Sequence, residues 1–262
     1  MIKLLIGLFF ILGVTNSNAE KIILTEDNSI TFNQAFTSLY VAQKQLEVMV
    51  KSAKLPKSKP LFIVMDTPGG SVPAGLNFID TVNSLDRKVH TITIFAASMG
   101  YQTVQELGTR YITRSGILMS HRGSLSGLSG QVPGEINTRL SHIERILDDM
   151  NKRAAKRSGM SLKSYKDAIQ NELWLSGEEA VAQNHADKIA NVSCDQKLIK
   201  GTTETQLNTI FGPVSLKFSK CPLISEPVEV KFGNIKDPVQ KNAVLQLVNN
   251  RRIRRTKADL TL

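Results

Sequence analysis

A continuous apolar run, residues 61–65, and a second strand-like stretch, residues 90–95, constrain the fold of this chain most strongly. Each ends in small residues: Thr67-Pro68-Gly69-Gly70 after the first, Ala96-Ala97-Ser98 after the second. Each is followed by a segment with helical spacing. An apolar run without alternation is buried on both faces, and a strand buried on both faces belongs to a parallel sheet covered by helices. Strand, turn and helix repeating in that order make a layered α/β fold. Further strands are expected at 21–24, 111–113, 117–120 and, as a sheet edge, 189–192. Helices are expected at 33–52 (apolar face Phe36, Leu39, Tyr40, Leu46, Val50), 74–85, 98–107 and 162–171. Ser176 with Glu178 and Glu179 has the spacing of a capping box for one more. Residues 54–59 and 123–134 have loop composition. Ile136, Leu140, Ile143, Leu147 and Met150 repeat at steps of four and three, which makes one apolar stripe on a long helix over 135–156. Beyond residue 192 the pattern changes, with strands expected at 214–218 and 228–232 and a helix at 237–248.

The first nineteen residues read differently. Lys3 gives a short basic start, residues 4–14 are almost wholly apolar, and Ser17-Asn18-Ala19 is a small-x-small cleavage site. That is the pattern of a secretory signal peptide. The alternative, an uncleaved anchor, would need roughly 20 apolar residues to span a bilayer. The organisation expected is therefore a leader over 1–19, one domain over 20–192 and an extension over 193–262. Export implies a periplasmic or secreted protein. The only two cysteines, Cys194 and Cys221, are then a candidate disulfide, and free thiols if the chain is not exported.

The formal net charge is +10, and Arg251, Arg252, Arg254, Arg255 and Lys257 crowd the C-terminus. Such a cluster suits weak contact with an anionic surface. No aromatic residues interleave it, so no nucleic-acid stacking platform is expected. There is no His-x-x-x-His or Cys-x-x-Cys pair and no phosphate loop with its lysine, so neither a metal nor a cofactor is expected.

Serine acyl-transfer chemistry needs a nucleophile, a base and donors for an oxyanion. Ser98 opens a helix after a strand, which exposes a hydroxyl and aims backbone N–H groups at a nearby oxygen. N-capping is the plainer role for such a serine. His121 follows two short strands and is the histidine with a serine motif to serve; the alternative is a core histidine. Gly69-Gly70 is either an oxyanion loop or a tight turn. Glu172, Asp187 and Asp66 are the candidates to orient the imidazole, and the residues alone do not choose among them.

These segments resemble those of the Clp protease proteolytic subunits, serine peptidases of the ClpP/crotonase superfamily. The resemblance runs from about residue 22 to 192. It rests on Asp66-Thr67-Pro68-Gly69-Gly70-Ser71-Val72, Ala96-Ala97-Ser98-Met99-Gly100, Met119-Ser120-His121, Gly130-Gln131 and Leu175-Ser176-Gly177-Glu178-Glu179-Ala180, in the family's order. It implies a ClpP/crotonase-like layered β-β-α fold with a long protruding helix, here followed by a small C-terminal extension. It implies Ser98 as nucleophile, His121 as general base, Gly70 and Met99 as oxyanion donors within a substrate-binding loop that includes Gly69, and Glu172 in the place of the family's aspartate. It also implies a homo-oligomer in which the long helix mediates ring contacts. The chain departs from the family at Ile94-Phe95, where a Gly-Gln pair is usual, and at Asn171, where an arginine usually stands beside the acid.

The expected function is therefore a serine endopeptidase acting on peptides or unfolded proteins outside the cytoplasm, where no ATP supply exists and no ATP-driven unfoldase is expected. The alternatives are a non-catalytic scaffold of the same fold, a signal-peptide-peptidase-like enzyme with a serine–lysine pair, and acyl-CoA chemistry on the related crotonase fold.

Overall fold

The run at 61–65 and the strand expected at 90–95 form adjacent parallel strands. The computed structural model describes residues 19–125 and 127–258, with side chains to residue 248. Nearly all of the expected leader, and the side chains of the C-terminal basic cluster, lie outside the described residues.

In chain order the strands are β1 Glu20–Leu24, β2 Ser29–Phe32, β3 Leu61–Thr67, β4 Val89–Ala97, β5 Arg110–Ser120, β6 Leu173–Ser176, β7 Lys188–Cys194, β8 Thr202–Thr209, β9 Gly212–Ser219 and β10 Pro227–Lys231. The helices are α1 Ser38–Lys54, α2 Val72–Asn83, α3 Met99–Glu106, α4 Gly134–Ser158, α5 Leu162–Ala168, α6 Gly177–Ala182, α7 Gln196–Lys200 and α8 Pro238–Ala258. The main sheet has the order β1-β7-β5-β4-β3-β2 and is parallel throughout. β6 joins it antiparallel to the end of β5. β8, β9 and β10 form a separate antiparallel sheet. This is the layered α/β architecture expected, with the long helix and the C-terminal extension.

Successive side chains of a strand point to opposite faces, and β3 shows both destinations. Leu61, Ile63 and Met65 enter the larger core, with Phe78 and Ile79 of α2 and Val104 of α3. Phe62 and Val64 enter a second core with Ile92, Tyr111, Leu198 and Cys221. The extension thus covers the face of the sheet that the main helices leave open. Cys194 at the end of β7 and Cys221 after β9 are disulfide-bonded, which staples it there.

Several expectations need correction. The stretch 189–192 is not an edge: β7 lies between β1 and β5, because the N-terminal strand closes the sheet outside it. On α1 the buried residues are Tyr40, Val41 and Val48. Leu39 and Leu46, expected in the core, are 74% and 65% exposed. Phe36 is buried, but in the approach to the helix, where it bridges Gly70. The two short strands at 111–113 and 117–120 are one strand, β5. Its register against β4 jumps from Thr93↔Ile112 to Phe95↔Ile117, so β5 carries extra residues at a bulge. Ser176 sits at the N-cap of α6 without a side-chain cap bond. Its backbone is held in the β6 ladder opposite Ile117.

The 25 residues of α4 extend for about 37 Å at 1.5 Å per residue. Only its C-terminal half packs onto the body, through Met150, Ala154, Ala155 and Ser158. The rest of its apolar stripe is left partly or wholly exposed, Leu140 included. Among the described residues no helix is long and apolar enough to cross a membrane.

Candidate active site

The C-terminal ends of three neighbouring parallel strands deliver the chemistry. Thr67 to Gly70 follow β3, Ser98 follows β4 and His121 follows β5. Open parallel sheets bind ligands at such ends, where the strand-to-helix turns meet. Residues distant in sequence therefore converge because the strands that carry them are adjacent.

Ser98 adopts φ 55°, ψ −117°, a conformation that costs a non-glycine residue about 1–3 kcal/mol. The turn is held in place by the Ser98 N–H, which donates to the Met119 carbonyl at 2.9 Å. Although Ser98 stands at the N-cap of α3, its hydroxyl makes no cap bond. It lies 2.8 Å from Nε2 of His121 instead. Ser98 and His121 are both half-buried. The N–H groups in the first turn of a helix have no intrahelical partner. The first such bond of α3 is Gln102 N–H to the Ser98 carbonyl, 3.1 Å. Met99 N–H is thus left at the nucleophile's side, where the helix dipole favours negative charge.

The glycine loop is locked against both neighbours. Phe36 N–H donates to the Gly69 carbonyl at 2.8 Å, and Ser71 N–H donates to the Phe36 carbonyl at 2.9 Å. In such a parallel bridge Phe36 makes both bonds, so the N–H of Gly70 is turned to the other side. Gly69 N–H donates to Thr67 Oγ1 at 3.2 Å, so it is committed, and among the described residues the backbone donors these two turns leave open are Gly70 and Met99. Gly69 and Gly70 have φ 95° and 136°. A Cβ on Gly69 would lie 2.6 Å from the Cβ of Ser98, and one on Gly70 would lie 2.8 Å from the Phe36 nitrogen. Gly100 completes the fit, since a Cβ there would lie 2.7 Å from the Thr67 methyl. The two motifs touch through their glycines.

The acidic candidates separate clearly. Asp187 accepts from Arg110 N–H (2.8 Å), Nε (3.1 Å) and Nη2 (2.6 Å), and from Arg157 Nη2 at 3.4 Å. Burial alone would raise its pKa, but the bonds and charge of Arg110 hold the carboxyl below the usual range. Arg110 begins β5 and His121 follows its end, about 30 Å away along a strand. Asp187 is therefore a structural ion-pair partner and not the acid of this site. Asp66 alternates with Met65 and points with Val64 to the second core's face, away from the main helices. Glu172 is the one at the right end of the sheet. The β5–β6 ladder ends where Ser120 pairs with Leu173, so His121 and Glu172 are the residues immediately beyond that last pair. Its carboxylate accepts from Trp174 Nε1 at 2.9 Å. Among the described residues His121 has no hydrogen bond beyond that to Ser98, so no acid–imidazole bond is formed.

A buried polar network behind the site was not foreseen. Ser120, next to His121, is bonded to the Tyr165 hydroxyl at 2.8 Å, and Gln102 Nε2 on α3 donates to that hydroxyl at 3.3 Å. Tyr165 thereby ties the helix that follows Ser98 to the strand that His121 follows. Tyr101 is bonded to Nδ1 of His185 at 2.7 Å, and Gln105 Nε2 donates to the His185 carbonyl at 2.9 Å. Burial, aided by the nearby Arg110 charge, lowers the His185 pKa to about 4. His185 is thus a neutral core histidine. Tyr101 and Tyr165 sit at helical positions that periodicity reads simply as core, and their hydroxyl partners are remote in sequence, so no local signal marks them.

A family model for the Clp protease matches residues 16–193. The ATP-dependent Clp protease proteolytic subunit 3 of Synechococcus sp. (strain CC9902) is 32% identical over 135 residues, 50% of this chain and 67% of its own. The ATP-dependent Clp protease proteolytic subunits of Streptococcus pyogenes serotype M5 (strain Manfredo) and Streptococcus suis (strain 98HAH33) are 28% and 29% identical over 135 residues, 50% of this chain and 69% of each relative.

Proposed function

Since the chain belongs to the Clp protease family, we propose that it is a serine endopeptidase in which Ser98 is the nucleophile and His121 its general base. The observation that carries this is the 2.8 Å Ser98 Oγ–His121 Nε2 contact beside the open N–H groups of Gly70 and Met99. His121 takes the hydroxyl proton as Oγ attacks the scissile carbonyl, and the developing oxyanion is met by those two donors. The imidazolium returns the proton to the leaving amine, and water then cleaves the acyl-enzyme by the same steps. A base at Nε2 carries its proton on Nδ1, which needs an acceptor. Glu172, which like His121 lies just beyond the last β5–β6 pair, is that acceptor when its carboxylate turns to the ring. No lysine bonds Ser98, so a serine–lysine pair has no support among the described residues.

The enzyme works as a homo-oligomer on peptides or unfolded proteins. The unburied stripe of α4 supports this, as does the cleft of about 970 Å³ between α4 and Arg122, Gly123 and Leu125. It works outside the cytoplasm and without ATP. The leader-like sequence over 1–19 and the Cys194–Cys221 bond, which oxidising compartments maintain, support that reading.

The test is a fluorophosphonate probe on the mature protein, resolved by size, with casein cleavage followed in the absence of nucleotide. Wild type should label and cleave, and Ser98→Ala should do neither. Equal labelling of the two would end the assignment.

A further inference from the structure

Glutamate in the acid's place creates a problem that aspartate would not. Its extra methylene adds a rotatable bond, and an orienting carboxylate is useful only if it is held still. The residue two positions on addresses this. Trp174 Nε1 donates to Oε2 of Glu172 at 2.9 Å, and the indole N–H is a donor with no acceptor function, so its bond has one direction.

The ladder explains why this bond bears on His121. Trp174 is paired with Met119, and Ser120 with Leu173. Residues directly opposite in an antiparallel pair share a face, as do residues two apart on one strand. Trp174 and Met119 therefore project on the same face of the β5–β6 pair, the indole bond brings the Glu172 carboxylate to that face, and His121 follows immediately after the last paired residue, Ser120. The backbone of Glu172 is fixed as well, at φ 67°, where β6 begins after a short 3-10 turn. With Oε2 committed to the indole, Oε1, which has no hydrogen bond among the described residues, is the oxygen left to meet the Nδ1 proton of His121.

We propose that Trp174 is a positioning residue for the general base: its indole N–H anchors Glu172 so that the second carboxylate oxygen orients His121. This rests on the reading of Glu172 as the orienting acid, and the two can fail separately. The indole also reports on the bond directly, because Trp174 is the only tryptophan in the chain.

The experiment measures kcat and KM on a fluorogenic peptide for wild type, Trp174→Phe, Trp174→His and Glu172→Gln. Thermal unfolding of each variant is followed alongside. It also compares the tryptophan emission of wild type and Glu172→Gln at the assay pH. Loss of one hydrogen bond to a charged group should lower kcat of Trp174→Phe about tenfold with KM within about twofold. Trp174→His, which keeps an N–H donor, should recover part of the loss. The emission of wild type and Glu172→Gln should differ, because the partner of the indole changes from a carboxylate to an amide. Wild-type or raised kcat in Trp174→Phe, with Glu172→Gln impaired, overturns the anchoring role alone. Wild-type kcat in Glu172→Gln overturns the acid assignment and the anchor with it. If Trp174→Phe fails to fold, the emission comparison decides: identical emission in wild type and Glu172→Gln refutes the proposal.

Discussion

Gly69→Ala tests how far the nucleophile depends on a backbone contact from another strand. Gly69 has φ 95°, where an L side chain costs about 1–3 kcal/mol. Its new Cβ would lie 2.6 Å from the Ala97 carbonyl oxygen, 2.6 Å from the Ser98 Cβ and 2.9 Å from the Met99 nitrogen. Ordinary contact begins at 3.4 Å, so the glycine loop and the Ser98 turn must separate by about 0.8 Å. None of the three atoms is the mobile end of a side chain, so the strain moves backbone. A displacement of about 1 Å at a reacting group costs on the order of 100-fold in rate. The same shift moves the Met99 donor relative to that of Gly70. The assay is the second-order rate of fluorophosphonate labelling, with Gly134→Ala as the control. A Cβ at Gly134 meets nothing within 4 Å, and alanine there also favours the start of α4. Gly69→Ala should label about 100-fold more slowly and unfold at a lower temperature, while the control matches wild type. If Gly69→Ala labels within twofold of wild type, the contact does not position the nucleophile.

Two further outcomes concern stability. His185 binds its proton at about 4 in the folded protein against 6.5 for an ordinary histidine, so between those values the unfolded chain holds more protons. Stability should therefore be full above pH 6.5 and fall by up to about 3 kcal/mol as pH drops to 4. Urea unfolding across that range should be less steeply pH-dependent in His185→Gln; an unchanged slope would remove His185 as the cause, leaving carboxylates such as Asp187. For the disulfide, closing a loop of 27 residues' separation is worth about 3.5 kcal/mol by chain entropy. Cys194→Ser with Cys221→Ala should lower the unfolding midpoint by roughly 10 °C; equal midpoints would show that the second core holds the extension without the staple.

Much of the site was legible because its parts are local. Buried strands followed by small-residue turns and helix starts read directly from 61–70 and 90–98, and the structure puts Ser98 and Gly69-Gly70 on the turns so read. Leu39 and Leu46 misled, because an amphipathic pattern says which residues share a face but not whether that face is covered. The edge assignment of 189–192 failed for a related reason: the strand that closes the sheet outside it comes from the other end of the chain.

What the sequence determined by itself was the type of each local piece: parallel strands, the turn after each, the glycines that only such turns accept, and two cysteines able to pair. Backbone sterics and the separation of apolar from polar residues act within a few positions, so they are written in order along the chain. Only the tertiary structure decided which pieces meet. It joined His121 to Ser98 across β4 and β5. It spent Asp187 on Arg110 at the opposite end of β5, and bound Glu172 to Trp174 at the end of β5 that the base follows. A hydrogen bond is made or lost within tenths of an ångström, and that distance is set by strand register and packing across the whole sheet.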